Sequence, residues 1–221
     1  MKESTNRTLI TNPKNIICIG LNYADHIEET SLATHDFPEI FMKTSNALAS
    51  HQDIVPIQDE NLHYDYEGEL VIVIGKAGKN ISRDQAKEHI LGYTIGNDVS
   101  VRTLQFRGSQ WILGKSLDNF APIGPTIVSP DDFDFDNATI TTTANGEIRQ
   151  QAKLQQMMFK PDAIIEFVSQ FITLQEGDII FTGTPSGVVL GKNEKRYGWL
   201  KSGDTVSISI SGIGTLVNQF K

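Results

Sequence analysis

Short apolar runs, separated by glycine, proline and asparagine, most constrain what this 221-residue chain can fold into. None approaches the roughly 18 apolar residues that a membrane helix needs, and each has the length of one strand in a sheet. Helical patterns are fewer, so the chain is predicted to have an α+β fold and not a regular alternation of strands and helices. The runs are Ile16–Ile19, Leu70–Ile74, Tyr93–Ile95, Ile179–Phe181 and Val206–Ile210.

The dipeptide Asn145-Gly146 is the strongest hairpin signal in the chain. It joins two extended stretches, 138–144 and 147–151, and a tight hairpin turn favours these two residue types at its centre. The sequence Ser82-Arg83-Asp84-Gln85 is a capping box, which predicts a helix that ends near Ile90. Local chemistry alone therefore predicts one hairpin and one short helix.

Two further helices are predicted from apolar spacing and polar caps. Pro161 begins a stretch with helical period that ends near Gly177. Asn22 precedes a short segment over His26–Thr30, and its side chain is expected to accept a hydrogen bond from a free amide at the start of that helix.

The charge balance excludes some classes of partner. The chain carries 19 Lys and Arg against 27 Asp and Glu, a formal charge of −8. Nucleic-acid binding needs a basic face and is not expected, whereas local cations can still hold a small anionic substrate. The single cysteine, Cys18, lies in an apolar run and is expected to be buried in a strand. The segment Met1–Arg7 lacks the apolar centre of a signal peptide, so we expect a cytoplasmic protein without membrane association.

Two glutamates lead directly into the most apolar strand of the chain. Glu67 and Glu69 point to the same face of an extended strand, in line with Val71. Without a cation they would repel each other and lose hydration, although a solvated strand end explains the pattern equally well. Asp98 ends another apolar stretch, either as a third converging carboxylate or as an Asx turn. If the three converge, all-oxygen ligation favours Mg²⁺ or Mn²⁺ over Zn²⁺.

Two other features have a catalytic and an ordinary explanation. His26 and Glu29 are three residues apart, so on a helix they share a face, and the carboxylate would raise the basicity of the imidazole as a general base requires. A surface His–Glu pair is the commoner case. Lys115 follows the apolar segment 111–113 and is a candidate buried cation, although most lysines are solvated.

Taken together, five segments resemble the fumarylacetoacetate hydrolase family in order and in spacing, from about Ile16 to the C-terminus. The resemblance implies a mixed β-roll, a homodimer, and a Mg²⁺ or Mn²⁺ site at the mouth of the roll. We accordingly expect an N-terminal extension over residues 1–15 and a single catalytic domain over residues 16–221. The segments are Gly20–Glu29, Tyr66–Lys76, Gly92–Arg102, Gly114–Asp118 and Phe181–Val188.

The same resemblance implies three groups of site residues, for the metal, for catalysis and for contacts with the carboxylate and keto oxygens of the substrate. They are Glu67, Glu69 and Asp98 for the metal, His26, Glu29 and Lys115 for catalysis, and Arg102, Gln105 and Thr184 for the substrate. The chain departs from the family pattern at Leu21, where many members carry arginine. It also departs over residues 151–159, where relatives often carry an Asn-Thr element, so the resemblance does not define the substrate tail.

The activity implied is metal-dependent cleavage of a carbon–carbon bond in a 2-oxo or 2,4-dioxo acid. Hydrolysis of an acylpyruvate is the first expectation, because both members of the His26–Glu29 pair are present, and decarboxylation of oxaloacetate is an additional one. One alternative is an isomerase and decarboxylase of ring-cleavage dioates such as 2-hydroxyhepta-2,4-diene-1,7-dioate. A second alternative, of another class, is a catalytically inactive dimeric binding protein on the same fold.

Overall fold

The computed structural model describes residues 12–30 and 36–221. Within that part, the strands are numbered along the chain and form three sheets. The largest sheet is mixed, because β1 pairs with β12 and β3 pairs with β9 in parallel while its other pairs are antiparallel. In spatial order its strands are β2 (Glu39–Lys43), β1 (Ile16–Gly20), β12 (Ile179–Phe181), β6 (Gly68–Ile74), β7 (Ile90–Asn97), β9 (Ala121–Val128) and β3 (Leu48–Ser50).

A five-stranded sheet packs across one face of this large sheet, and a two-stranded sheet lies beside the ends of β6 and β7. The five strands, in spatial order, are β11 (Glu147–Lys153), β10 (Thr139–Ala144), β13 (Thr205–Ile210), β14 (Gly214–Phe220) and β4 (Ile54–Val55). The short sheet consists of β5 (Tyr64–Asp65) and β8 (Ser100–Val101). This mixed, strand-rich arrangement with few helices confirms the predicted α+β β-roll.

The helices in the described residues are short and lie around the sheets. None of them is long and apolar enough to cross a lipid bilayer. The α-helices are α1 (Ala24–Thr30), α2 (Arg102–Gln105), α3 (Ile112–Lys115), α4 (Pro161–Phe171) and α5 (Glu194–Tyr197). The 3₁₀ turns are Ser45–Ala47, Arg83–His89, Leu154–Gln156 and Gly191–Asn193.

Strand β6 brings the two larger sheets into contact. All of its residues are buried, so both faces of the strand lie in the core. At Gly68 the backbone comes so close to the other sheet that an added Cβ would lie 2.1 Å from Thr142 Oγ1 and 3.2 Å from Ile208 Cγ2. The strand that begins with the two predicted glutamates is therefore anchored at the junction of the sheets.

Most of the local predictions are confirmed. All five apolar runs lie in strands, and Cys18 is fully buried in β1. The Asn145-Gly146 turn joins β10 to β11, as its residue types predict.

The predicted helix boundaries and caps need correction. The segment after Ser82 is a 3₁₀ turn, and the Ser82 hydroxyl donates to the Gln85 side chain instead of capping a backbone amide. The helix that begins at Pro161 ends at Phe171, short of Gly177, because the chain turns back to pair at Leu174 with Gly78.

Asn22 does not cap α1. Its amide donates to the carbonyls of Phe159 and Thr182, at 2.8 and 2.7 Å, and its side-chain oxygen accepts from the Phe159 N–H. A long-range contact thus takes the place of the local cap, and it fixes the start of α1 against the segment that follows β12.

Candidate active site

The pairing of β6 with β7 brings the three predicted carboxylates together. Gly68 pairs with Asn97, so Glu67 and Asp98 lie opposite each other at adjacent ends of β6 and β7. The Asp98 N–H donates to the Glu67 carbonyl at 2.9 Å. One carboxylate oxygen from each of Glu67, Glu69 and Asp98 lies within 4.8 Å of the others. All three side chains are buried, so the solvated-strand-end and simple Asx-turn explanations do not apply here.

Two ammonium groups compensate part of this charge. Lys115, at the end of α3, is buried and its Nζ lies 2.8 Å from both Glu67 Oε2 and Asp98 Oδ2. Burial alone would lower the pKa of Lys115, but Asp98 and Glu67 raise it above its usual value. Lys43, at the end of β2, places its Nζ 2.6 Å from Asp98 Oδ1. Lys115 is thus a buried cation of the site, as predicted.

A guanidinium holds the outer side of the cluster. Arg102 Nη2 lies 2.8 Å from Asp65 Oδ2 and 2.7 Å from Glu67 Oε1, and its Nη1 donates to Gln105 Oε1 at 2.9 Å. Arg102 therefore holds Oε1 of Glu67, while Lys115 contacts Oε2 of the same carboxylate. Gln105 keeps its amide NH₂ group for another partner, because Arg102 contacts its oxygen.

The pKa values of the two glutamates are shifted in opposite directions. Burial raises the pKa of Glu69 well above its usual value, and the charges of Asp98 and Glu67 raise it further. Burial acts on Glu67 in the same direction, but Lys115 and Arg102 hold its pKa below the usual range. Within the described residues Glu69 forms no ion pair, and Lys115 lowers its pKa only in part; the Gly183 N–H donates to Glu69 Oε2 at 2.7 Å.

The chemistry of this donor set fits a hard divalent cation. Three buried carboxylates converge, and the pKa of Glu69 is raised by burial and then by its like-charged neighbours. The described residues place no Cys or His ligand within the group. Oxygen-only ligation of this kind suits Mg²⁺ and Mn²⁺. Glu67, Glu69 and Asp98 are therefore the residues that would hold such an ion.

Helix α1 carries the predicted dyad to the mouth of the cluster. His26 Nδ1 lies 3.6 Å from Glu29 Oε2, and both side chains are nearly buried. Glu29 is itself anchored, because it accepts the Gly187 N–H at 3.0 Å and contacts the Asn193 amide. Gly187 can present its N–H there because it adopts a positive φ of 109°, and a Cβ at this position would lie 2.0 Å from the Arg149 carbonyl.

One narrow cavity lies between His26, the two glutamates of the cluster and Arg102. It has about 20 Å³ of free space, and its polar lining includes His26, Glu67, Glu69, Arg102, Gln105 and Thr184. The Thr184 hydroxyl donates to the Gly68 carbonyl and accepts from the Gln150 amide, so this threonine also positions the start of β6. Leu21, Phe41, Trp111 and Leu190 form its apolar lining.

Three further polar residues support the site and were not identified from sequence. Asp65 binds Arg102 and accepts the N–H groups of Val189 and Leu190. The Gln150 side chain accepts the Gly68 N–H, and Lys43 contacts Asp98. Asp65 could have been found, because positions 65, 67 and 69 alternate along an extended chain, whereas neither Lys43 nor Gln150 lies in a comparable pattern.

Comparisons with known proteins agree with this geometry. Residues 15–221 match a family model described as fumarylacetoacetate (FAA) hydrolase, C-terminal. The mitochondrial oxaloacetate tautomerase fahd2 of Xenopus laevis is 42% identical over 212 residues, which cover 95% of this chain and 66% of the relative. The chain thus spans about two thirds of that protein's length.

Two solved structures are also similar. Fumarylpyruvate hydrolase from Pseudomonas aeruginosa, in complex with Mn²⁺ and pyruvate, has a TM-score of 0.84 and 32% identity, covering 94% of this chain and 89% of that one. The 2-hydroxyhepta-2,4-diene-1,7-dioate isomerase from Mycobacterium marinum has a TM-score of 0.80 and 40% identity, covering 94% and 74%. The matched segment contains every residue of the candidate site, and on this basis the chain belongs to the fumarylacetoacetate hydrolase family of enzymes.

Proposed function

We propose that this chain is a divalent-metal-dependent enzyme that acts on short 2-oxo acids through their enolate form. The first candidate reaction is the interconversion of the enol and keto forms of oxaloacetate, with decarboxylation of oxaloacetate as a related activity. The observation that carries the proposal is the buried cluster of Glu67, Glu69 and Asp98 with Lys115 between two of them.

Each part of the site has a role in this chemistry. When bound, a divalent ion supplies Lewis acidity toward the carboxylate and keto oxygens of a 2-oxo acid. Lys115 brings a fixed ammonium to the place where negative charge would develop, and its burial makes this interaction stronger than it would be in water. Gln105 lines the cavity, and because its oxygen accepts from Arg102, its amide NH₂ is the group that can donate to a substrate oxygen.

The dyad supplies the proton transfer. In a tautomerase, His26 would move a proton to or from the carbon next to the keto group, and Glu29 would orient the ring and stabilise its charged form. Since the cavity has only about 20 Å³ of free space, α1 must move away before a four-carbon acid can enter.

Hydrolysis of an acylpyruvate is the second candidate, and the anchored His26–Glu29 pair favours it. In that reaction His26 would deprotonate a water, and the hydroxide would attack the carbonyl carbon distal to the carboxylate. The carbon–carbon bond then breaks, its electron pair stays with the pyruvate enolate, and protonation of that carbon gives pyruvate and a carboxylic acid. The solved relative from Pseudomonas aeruginosa is named for a hydrolysis of this type.

A substrate panel tests both candidates. Metal-stripped protein is supplied with Mg²⁺ or Mn²⁺ and offered oxaloacetate, acetylpyruvate, fumarylpyruvate and a ring-cleavage dioate. Loss of the enol absorbance reports tautomerisation, pyruvate formation reports hydrolysis or decarboxylation, and Glu69→Ala is the matched inactive variant. We expect metal-dependent turnover of oxaloacetate above all, and light scattering is expected to show a homodimer.

Some outcomes would contradict the proposal. Rates that stay unchanged after metal removal would exclude the role of the carboxylate cluster. Fast hydrolysis of acetylpyruvate without tautomerisation of oxaloacetate would replace the first candidate with the second. No turnover of any compound by protein that binds Mn²⁺ would support the inactive binding protein.

A further inference from the structure

The Lys43 ammonium is buried in the site without access to the cavity. Its side chain has no exposed surface, and Lys43 is not among the residues that line the cavity. It donates to the carbonyls of Val99 and Phe120, at 2.9 and 2.7 Å, and to that of Lys115 at 2.5 Å. An ammonium has three N–H donors, and these carbonyls together with Asp98 Oδ1 are four acceptors within reach, so no donor is left for another partner.

These three carbonyls belong to the segments that position the site. Val99 follows Asp98 directly, the Lys115 carbonyl is on the residue whose ammonium contacts Glu67 and Asp98, and Phe120 precedes β9. Lys43 itself ends β2, on the edge of the large sheet. A single side chain therefore connects the edge strand to the Asp98 carboxylate and to the backbone carbonyls of Val99 and Lys115.

Lys43 also helps to fix the orientation of the Asp98 carboxylate. Its charge lies 2.6 Å from Asp98 Oδ1, while the Lys115 charge lies 2.8 Å from Oδ2. The carboxylate is thus held between two ammonium groups, one on each oxygen, and its rotation would break one of these ion pairs. A carboxylate held in this way keeps a constant orientation toward Glu67 and Glu69.

We propose that Lys43 is a positioning residue for the metal centre, acting through Asp98 and through the backbone of Lys115. This inference rests on the proposed function, since it requires that the carboxylate cluster binds a divalent ion. Lys43 is assigned no part in the chemistry itself, because its ammonium is enclosed by Asp98 and by three backbone carbonyls. Its contribution is a fixed spacing between one metal ligand and the ammonium beside it.

The test measures Mn²⁺ binding to metal-stripped protein, by calorimetry and by the electron paramagnetic resonance spectrum of the bound ion. Lys43→Met keeps the length of the side chain and removes its charge and donors. We expect an increase in the Kd for Mn²⁺ of about 10- to 100-fold, the range found when groups behind metal ligands are removed. A broader spectrum of bound Mn²⁺ is expected as well, since the orientation of Asp98 is no longer fixed.

Two controls separate positioning from general loss of stability. Val168→Ala truncates a buried residue of α4, a helix that packs against the 83–89 turn, and should lower the Tm without changing the Kd for Mn²⁺. Lys76→Met removes an exposed lysine, paired with Glu88 at 3.7 Å, and should change neither quantity. If Lys43→Met does not fold, Lys43→Gln, which keeps an amide donor for a carbonyl, is measured in its place.

The outcomes are distinct. If the unmodified protein binds no Mn²⁺, the proposed function fails. If it binds Mn²⁺ and the Lys43 variant binds equally well, or if Val168→Ala weakens binding to the same degree, the inference about Lys43 is wrong while the proposed function stands. Weaker binding confined to the Lys43 variant supports the inference.

Discussion

Replacing Lys115 with methionine tests whether this ammonium substitutes for a metal ion in the metal-free protein. Methionine keeps most of the buried side-chain volume and removes the charge. Glu67 and Asp98 each lose an ion pair of 2.8 Å, in a place that is almost closed to solvent. The variant therefore isolates the electrostatic part of what Lys115 contributes.

The size of the effect follows from these distances. At an effective dielectric constant of about 20, each pair at 2.8 Å is worth about 6 kcal/mol of gross attraction, much of which offsets the cost of burying the ions. Removing one partner of a buried ion pair costs about 3–5 kcal/mol in net stability. Because Arg102 still binds Glu67 and Lys43 still binds Asp98, we expect the lower part of that range.

The assay is thermal unfolding in EDTA and in saturating Mn²⁺. For a chain of this size, about 1 kcal/mol shifts the Tm by about 2–4 °C, so Lys115→Met should lower the Tm in EDTA by about 6–12 °C. An ion at 100 times its Kd stabilises the unmodified protein by about 2.7 kcal/mol. Mn²⁺ should stabilise the variant by more than that, since Glu67 and Asp98 have lost their ion pairs with Lys115 and can interact more strongly with the ion.

Two results would refute this reasoning. An unchanged Tm in EDTA would mean that the buried carboxylates do not depend on Lys115. A smaller metal-induced gain in the variant than in the unmodified protein would mean that Lys115 and the ion assist each other at these oxygens and do not compete. Lys76→Met, an exposed lysine, should shift the Tm by no more than about 1–2 °C and serves as the matched control.

Three further predictions follow from the site. Because the pKa of Glu69 is raised, Mn²⁺ must displace a proton from this residue at low pH. The affinity for Mn²⁺ should therefore rise about tenfold per pH unit up to that pKa. Calorimetry in two buffers measures the released proton, and finding no release would contradict the prediction. His26→Ala should slow acylpyruvate hydrolysis about 10²- to 10⁴-fold and oxaloacetate decarboxylation less, and equal losses would count against water activation. Gly68→Ala should lower the free energy of unfolding in urea by about 1–3 kcal/mol or more, because the added Cβ would collide with Thr142 Oγ1. Adding Thr142→Ala to the same chain should recover part of this loss.

Features that depend on neighbouring residues could be predicted from sequence. The Asn145-Gly146 hairpin needs only a turn with two positive φ angles, and both residues adopt them. The Glu67 and Glu69 pattern needs only the alternation of a strand. Where a distant segment competed with a local preference, the local prediction was wrong: Asn22 bonds to Phe159 and Thr182, 137 and 160 residues away, and not to its own helix.

The assembly of the site depends on strand pairing, which the residues alone did not determine. Asp98 joins Glu67 only because β6 and β7 are antiparallel neighbours with Gly68 opposite Asn97. Lys43 enters the site from an edge strand 55 positions earlier in the chain than Asp98, with no pattern in its own segment to mark it. The resemblance to a family carries this long-range information, and it therefore indicated the three carboxylates and Lys115. It indicated none of the supporting residues, which are Asp65, Gln150 and Lys43.

The charge balance of the site connects stability with substrate choice. Four buried carboxylates face three buried cations, so the fully ionised cluster has a formal charge of −1, and a divalent ion would change it to +1. The residues are Asp65, Glu67, Glu69 and Asp98 on one side, and Lys43, Lys115 and Arg102 on the other. Without the ion, the fully ionised cluster repels an anionic acid, and protonation of one carboxylate would bring its formal charge only to 0. With the ion, the same cavity attracts an anion into a chain whose overall charge is −8. Loading of the ion should therefore precede binding of the oxo acid, because only the loaded cluster offers the substrate a positive site.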